Sequence, residues 1–317
     1  MPSPIVVDPA LFDPAAIPAD TLALNAEIVA RLNAEPEGLT IQQVRERRLQ
    51  GFGAFPLPQK SSRAQTITID GPEGKLDLRV IAPKNPRGVY FHIHGGGWSI
   101  GAADQLDPVL ERFAENTGMA CVSIEYRLAP EHPYPAGPDD CEAGALWLMR
   151  ESQKRFGTTR FAIGGESAGA HLSVVTLLRL RDRHGLAPFS TAILNYGCFD
   201  MGMTPSARNW GVEKLVLNTP SILGFRKCFL PAGTETSDPD ISPIYADLRG
   251  LPPAIFSVGT RDALLDDSLF MAPRWLAAGN VAELAIYPGA CHGFVSLPFK
   301  QRDEALVRIE KFLNQNL

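Results

Sequence analysis

Ser167 stands at the centre of Gly165-Glu166-Ser167-Ala168-Gly169, a G-x-S-x-G motif with an apolar run before it and a helix-forming stretch after it. In that context the serine is forced into a sharp strand-to-helix turn, and only glycine at 165 and 169 lets strand and helix approach. The turn lifts the hydroxyl clear of the sheet, and the helix N-terminus behind it favours negative charge nearby. Such a serine is a candidate nucleophile, but a hydroxyl of ordinary acidity needs a positioned base. Six histidines are available: His92, His94, His132, His171, His184 and His292. An elbow of this kind goes with the chain order nucleophile, acid, base. His171 and His184 fall on the helix that begins at the elbow, so His292, beyond every later strand, is the candidate base.

The acid should follow the penultimate strand, where Gly259-Thr260-Arg261-Asp262 lies. A buried carboxylate there would accept from the imidazole N–H, fix its tautomer and stabilise the imidazolium. Asp266 and Asp267 are rivals, but they open the next helix, where acids have ordinary capping and dipole roles, so Asp262 is preferred. Upstream, His94-Gly95-Gly96-Gly97-Trp98 follows the first long apolar run. Consecutive glycines expose backbone N–H groups to a ligand, which suits an oxyanion; Gly95, Gly96 and Gly97 are candidate donors, with the N–H of Ala168 as a further one. Trp98, Phe199, Trp210 and Phe225 are candidate lining for an acyl pocket, against the ordinary alternative that they are core. Glu166 is a candidate for tuning charge beside the serine, against a solvent-facing or paired carboxylate. Gly51-Phe52-Gly53 lacks the strand, the Lys-Ser/Thr pair and the third glycine of a phosphate loop and reads as a linker.

These residues need a frame to hold them. Apolar runs at 88–94, 119–125, 161–164, 191–196, 254–258 and 283–287 read as strands. Helical stretches at 105–117, 138–156, 168–184, 265–278 and 301–316 separate or follow them. Regular alternation predicts an α/β fold with a mostly parallel sheet covered on both faces, and ligands at the carboxyl ends of its strands. Two short strands, 65–70 and 76–82, and two helices, 21–32 and 41–51, precede this pattern. The interval 197–250 is too long for a simple connection and carries a helical segment at 220–229; with the N-terminal helices it could form a lid.

Composition narrows the classes. The chain has 317 residues, 45% hydrophobic and 21% charged, the profile of a globular enzyme with a sizeable core. Thirty basic against thirty-five acidic residues give a net charge of −5, and no basic block marks a nucleic-acid site. No stretch approaches the ~18 uninterrupted apolar residues of a spanning helix, so no membrane role is expected. The N-terminal sequence has no basic region before an apolar run and is broken by Pro and Asp, which predicts a cytoplasmic protein. Five scattered cysteines without a C-x-x-C pair argue against a disulfide framework or a zinc site. Cys291, beside His292, raises the expectation that thiol reagents reduce activity.

HGGGW at 94–98, YRLAPEHPYPA at 126–136, GESAG at 165–169, GTRDALLDD at 259–267 and HGF at 292–294 occur in one order. In this arrangement the chain resembles the hormone-sensitive-lipase-like esterases of the α/β-hydrolase superfamily, over most of its length after about Gln65. The resemblance implies an eight-stranded, mostly parallel sheet flanked by helices, with a helical cap. It divides the chain into an N-terminal cap part at 1–55 and a catalytic domain at 56–317 with a cap insertion at about 199–245. It implies a Ser167-His292-Asp262 triad, oxyanion donors among Gly95, Gly96, Gly97 and Ala168, no metal or organic cofactor, and a small-molecule ester substrate. Gly96 and Gly97 are the glycines usually named in such loops, with Gly95 the one credited instead in the alternative assignment, and the second aspartate of the D-x-L-x-D pattern is Asp266. Glu166 departs from the Asp or Thr of many bacterial members. Homodimers are common among similar proteins. The expected reaction is hydrolysis of short- to medium-chain esters. The alternatives are action on amides, lactones or an acetylated small molecule and, from a different class, a ligand receptor on the same fold; receptors of that kind lack the histidine present here at 292.

Overall fold

A computed structural model describes residues 5–57 and 59–317. Residues 1–4, assigned from sequence to the cap, and residue 58, assigned to the catalytic domain, lie outside the described residues. The frame is one sheet of eight strands: β1 (Gln65–Gly71), β2 (Gly74–Ile81), β3 (Val89–Ile93), β4 (Ala120–Glu125), β5 (Phe161–Glu166), β6 (Phe189–Asn195), β7 (Ala254–Arg261) and β8 (Ala282–Cys291). Their order is β1-β2-β4-β3-β5-β6-β7-β8. The first two strands form an antiparallel hairpin, β2 also pairs antiparallel with β4, and every later pairing is parallel.

The strands inside the sheet read as near-continuous apolar runs because both faces are covered. Alternate residues of β3 show the consequence. Phe91 and Ile93 join the core that includes Cys141, Ala145 and Leu148 of α4 (Ala136–Phe156) and Leu172 of α5 (Ala168–His184). Tyr90 joins the opposite core, with Leu110 and Phe113 of α3 (Asp107–Thr117) and Ile309 and Leu313 of α9 (Lys300–Asn316). Three of the helices stop at a left-handed glycine, Gly118, Gly157 and Gly185, which accepts the positive φ at little steric cost and turns the chain into the next strand. Each helix–strand unit therefore returns its following loop to the same edge of the sheet.

Several boundaries differ from those read in the sequence. Strand β8 runs four residues past Tyr287 to Cys291, because a register shift between Gly259 and Arg261 lets β7 keep pairing with it. Thr260 Oγ1 accepts from the Gly289 amide at 2.7 Å across that irregularity. The short α6 (Pro205–Asn209) was not anticipated, and α7 (Thr219–Phe229) starts one residue early at an Asn218 capping box.

The N-terminal helices and the 197–250 segment both reach the carboxyl edge of the sheet. Asn25 of α1 (Ala19–Asn33) donates to Gly289 O at 2.8 Å. Arg45 of α2 (Ile41–Leu49) donates to Ser99 O and Ala129 O, each at 2.8 Å, and pairs with Glu131. In the later segment, Asp267 of α8 (Leu265–Ala277) accepts from the amides of Phe199 and Asp200 and from the Thr204 hydroxyl. Burial pushes the Asp267 carboxyl up, and these three hydrogen bonds oppose that shift. Asp266 accepts from the Ser206 amide at 2.8 Å. The two rival aspartates thus fasten residues 199–206 to α8.

Candidate active site

The elbow is built by close approach. A Cβ on Gly165 would stand 2.0 Å from Ile93 O, and one on Gly169 would stand 1.9 Å from the same atom. Neither position admits a side chain without moving β3. Between them Ser167 adopts φ 56° and ψ −117°, outside the regions an L-residue prefers. Such a conformation costs of the order of 1–3 kcal/mol and persists because its surroundings impose it. The Ser167 amide is held by Asn195 O at 2.9 Å at the end of β6.

The loop after β8 brings His292 to this hydroxyl, with Nε2 2.9 Å from Ser167 Oγ. Its Nδ1 lies 2.9 and 3.0 Å from the two oxygens of Asp262, which is fully buried at the end of β7. The Leu264 amide donates to Asp262 Oδ1 at 2.8 Å and fixes the carboxylate. An ionised carboxylate only accepts, so Nδ1 carries the proton and Nε2 turns its lone pair to the serine. Tyr196 packs edge-on against the imidazole with ring centres 5.0 Å apart. Gly293 follows at φ 77°, and a Cβ there would meet the Phe55 ring at 2.5 Å.

The glycine loop faces the same space. Gly95 O accepts from His94 Nδ1 at 2.9 Å and from Gln105 at 3.4 Å, while Gly96 O accepts from the amides of Ser99 and Ile100. In a trans peptide the N–H points opposite to the C=O. Pinning these two carbonyls therefore orients the amides of Gly96 and Gly97. Among the described residues, neither those amides nor that of Ala168 has an acceptor. His94 can hold its carbonyl as a neutral donor at any moderate pH, because burial pulls its pKa down to about 3. It stacks on Tyr126, whose hydroxyl donates to His94 O at 3.0 Å.

Ser167, His292 and all three glycines line a cavity of about 570 Å³, whose other wall carries Leu32, Val44, Ile222 and Phe225. Phe225 closes over Gly97, where a Cβ would stand 2.4 Å from its ring. Trp98 also lines the cavity but is nearly buried: it stacks on Phe229 at 4.7 Å and donates to His171 Nδ1 at 3.1 Å. His171 passes the link to Ile241 O at 2.9 Å, so one chain of contacts joins the glycine loop, the elbow helix and the later segment. Glu166 borders the cavity and is buried against His92, with Oε2 2.9 Å from Nε2.

Two of the aromatic candidates do not line it. Phe199 is fully buried against Phe256, behind Gly197, because Asp267 holds its amide toward α8. Trp210 donates to Glu213 O and lies under the Arg261 guanidinium, outside the cavity. The expectation of a reactive thiol beside His292 is also corrected. Cys291 is 1% exposed, and burial pushes its thiol up to about 12, which leaves almost no thiolate. Iodoacetamide on the folded protein at neutral pH should leave Cys291 unmodified and the hydrolysis of p-nitrophenyl butanoate unchanged, as read by intact-mass spectrometry beside an assay; fast inactivation with label on Cys291 would contradict this.

A family profile described as alpha/beta hydrolase fold matches residues 90–296, which span the glycine loop, the elbow and His292. The chain belongs to the hormone-sensitive-lipase-like α/β hydrolases. This hydrolase is 33% identical over 269 residues to carboxylesterase NlhH of Mycobacterium tuberculosis, covering 82% of its own length and 83% of that protein. It is 32% identical over 255 residues to carboxylic ester hydrolase LipN of the same organism, covering 77% and 67% of the two chains. Among solved structures it resembles the hyperthermophilic esterase of the archaeon Pyrobaculum calidifontis, with TM-score 0.84 and 27% identity over 94% of this hydrolase and 98% of that chain. Among its described residues no helix is long and apolar enough to cross a membrane.

Proposed function

We propose that this chain is a serine carboxylesterase acting on short- to medium-chain carboxylic esters, with Ser167 as nucleophile, His292 as base and Asp262 as its orienting acid. The observation that carries the reading is the continuous hydrogen-bonded line from Asp262 through His292 to Ser167 Oγ, ending in a cavity beside unpaired amides. Ser167 Oγ attacks the ester carbonyl while His292 Nε2 takes its proton. Negative charge gathering on the carbonyl oxygen is received by the amides of Gly96, Gly97 and Ala168, which need no reorganisation. Collapse expels the alcohol with the proton held on His292 and leaves an acyl-Ser167. Water, activated by the same imidazole, then releases the acid. The names of the relatives, carboxylesterase and carboxylic ester hydrolase, support the same reaction class. The N-terminal helices and the segment after β6 serve as a cap, and the site of action is the cytoplasm.

The apolar wall sets the expected length profile. Each methylene buried there contributes about 0.8 kcal/mol, about a fourfold gain in kcat/KM, until the chain meets Phe225, Ile222 and the α2 wall. With p-nitrophenyl esters, kcat/KM should climb from acetate, peak between butanoate and octanoate, and fall for hexadecanoate. A maximum at hexadecanoate, or activation by an oil–water interface, would replace the soluble-esterase reading with an interfacial lipase.

A further inference from the structure

The cavity contains a cation that the reaction does not use. Arg48 projects from α2 into the space that holds Ser167 and His292. The residue is partly buried and, among the described residues, its guanidinium forms neither an ion pair nor a hydrogen bond. Its two arginine neighbours are fully occupied: Arg45 clamps Ser99 O, Ala129 O and Glu131, and Arg47 pairs with Glu35 at 2.6 Å. Arg48 instead lies over the Phe55 ring, 5.5 Å from its centre. Burial pulls its pKa below the ordinary arginine value, with no carboxylate offsetting the loss, yet a guanidinium stays charged at neutral pH.

The other charged groups lining the cavity do not neutralise it. Glu166 is committed to His92. Arg302 adds a second guanidinium, whose Nε donates to Val295 O at 3.2 Å and whose nearest carboxylate, on Asp303, lies 3.6 Å away. In a chain of net charge −5, two guanidiniums thus line one mostly apolar pocket. An unpaired charge removed from water is costly, and a bidentate carboxylate or phosphate is the group that best relieves a guanidinium. Position narrows its place on the substrate. Phe55, under Arg48, rests on Gly293, next to His292, whose imidazole must reach the departing alcohol oxygen.

We infer that this esterase takes an ester bearing a remote anionic group, received by Arg48 on the α2 wall of the cavity, with the anion on the alcohol portion. The inference rests on the carboxylesterase reading above and specifies its substrate class: acyl esters of hydroxy acids or of hydroxyl compounds carrying a phosphate.

Two matched pairs test it with the full-length protein. The acetate ester of ω-hydroxyhexanoate is compared with hexyl acetate, placing the charge on the alcohol side. Monomethyl adipate is compared with methyl hexanoate, placing it on the acyl side. The expected result is a higher kcat/KM for the anionic member of the first pair. In Arg48→Gln the anionic-to-neutral ratio falls about 10- to 100-fold, the range for a hydrogen bond to a charged group, and Arg48→Lys recovers part of it. Preference in the second pair alone keeps the anion site but overturns its placement on the alcohol side. If wild type cleaves both neutral esters with no preference for either anion, the inference fails while the esterase reading stands. If no ester is turned over, calorimetry of the acetate ester of ω-hydroxyhexanoate with Ser167→Ala decides the anion site separately. Binding weakened about 10- to 100-fold by adding Arg48→Gln supports it, and identical or absent binding overturns it.

Discussion

Ser167→Ala and His292→Gln each lower kcat on p-nitrophenyl butanoate by on the order of 10⁶-fold, and the double variant is hardly worse than either alone. The near-equality follows from the proposed mechanism, in which the imidazole takes part in attack only through the 2.9 Å contact to Ser167 Oγ, so removing either end removes the same step. What remains is the residual catalysis of the oriented amides and the cavity, roughly 10³–10⁴ over water. Ser167→Ala keeps its Cβ, so it inherits the φ 56° conformation without a new steric cost. It should therefore melt within a few degrees of wild type. His292→Gln deprives a buried carboxylate of its partner and should be less stable, which makes Ser167→Ala the cleaner member of the pair. Rates within tenfold of wild type in a folded Ser167→Ala variant would remove the serine from the chemistry. Losses that multiplied in the double variant would mean that the two side chains act in separate steps.

The parts of this site that were legible in the sequence are those enforced by backbone geometry. Gly165 and Gly169 could be read because no other residue survives 2 Å from Ile93 O, and an all-buried strand has a visible apolar pattern. His292 and Asp262 could be read because both lie where a parallel sheet delivers its loops. The walls of the cavity were not legible, since they depend on which way a side chain faces after α2, α7 and the segment after β6 dock. Phe199 and Phe225 have the same chemistry and flank the same irregular segment, yet one backs onto Phe256 and the other covers Gly97. The run Arg45-Glu46-Arg47-Arg48 shows the same limit for charge. Three arginines within four positions reach a carbonyl clamp, a glutamate and the cavity, and only the tertiary partners tell them apart. Leu24, Ile28 and Leu32 recur at i, i+4 spacing along α1, and Leu32 ends that stripe. That stripe predicts a buried face and cannot say that its end borders the cavity that holds Ser167.

Asp262→Asn is the sharper test of the acid, because it alters the proton and leaves the shape. The Leu264 amide donates to Oδ1 at 2.8 Å, so the amide oxygen of asparagine stays at that position and its NH₂ replaces Oδ2, 2.9 Å from His292 Nδ1. A donor now faces Nδ1, and the imidazole answers by carrying its proton on Nε2. It then presents an N–H to Ser167 where a lone pair is needed. The expected loss is about 10⁴-fold in kcat with KM nearly unchanged, since no group that touches the ester has moved. Asp266→Asn and Asp267→Asn provide the contrast. Asp267 holds the amides of Phe199 and Asp200 and the Thr204 hydroxyl, and Asp266 holds the Ser206 amide, so both act on the segment that carries part of the cavity wall. Their replacement should lower the melting temperature and shift KM, with kcat kept within about tenfold. A reversed pattern, with kcat collapsing in Asp266→Asn or Asp267→Asn and surviving in Asp262→Asn, would transfer the acid's role to α8. The buried contact at His292 Nδ1 would then be a structural hydrogen bond without a part in catalysis.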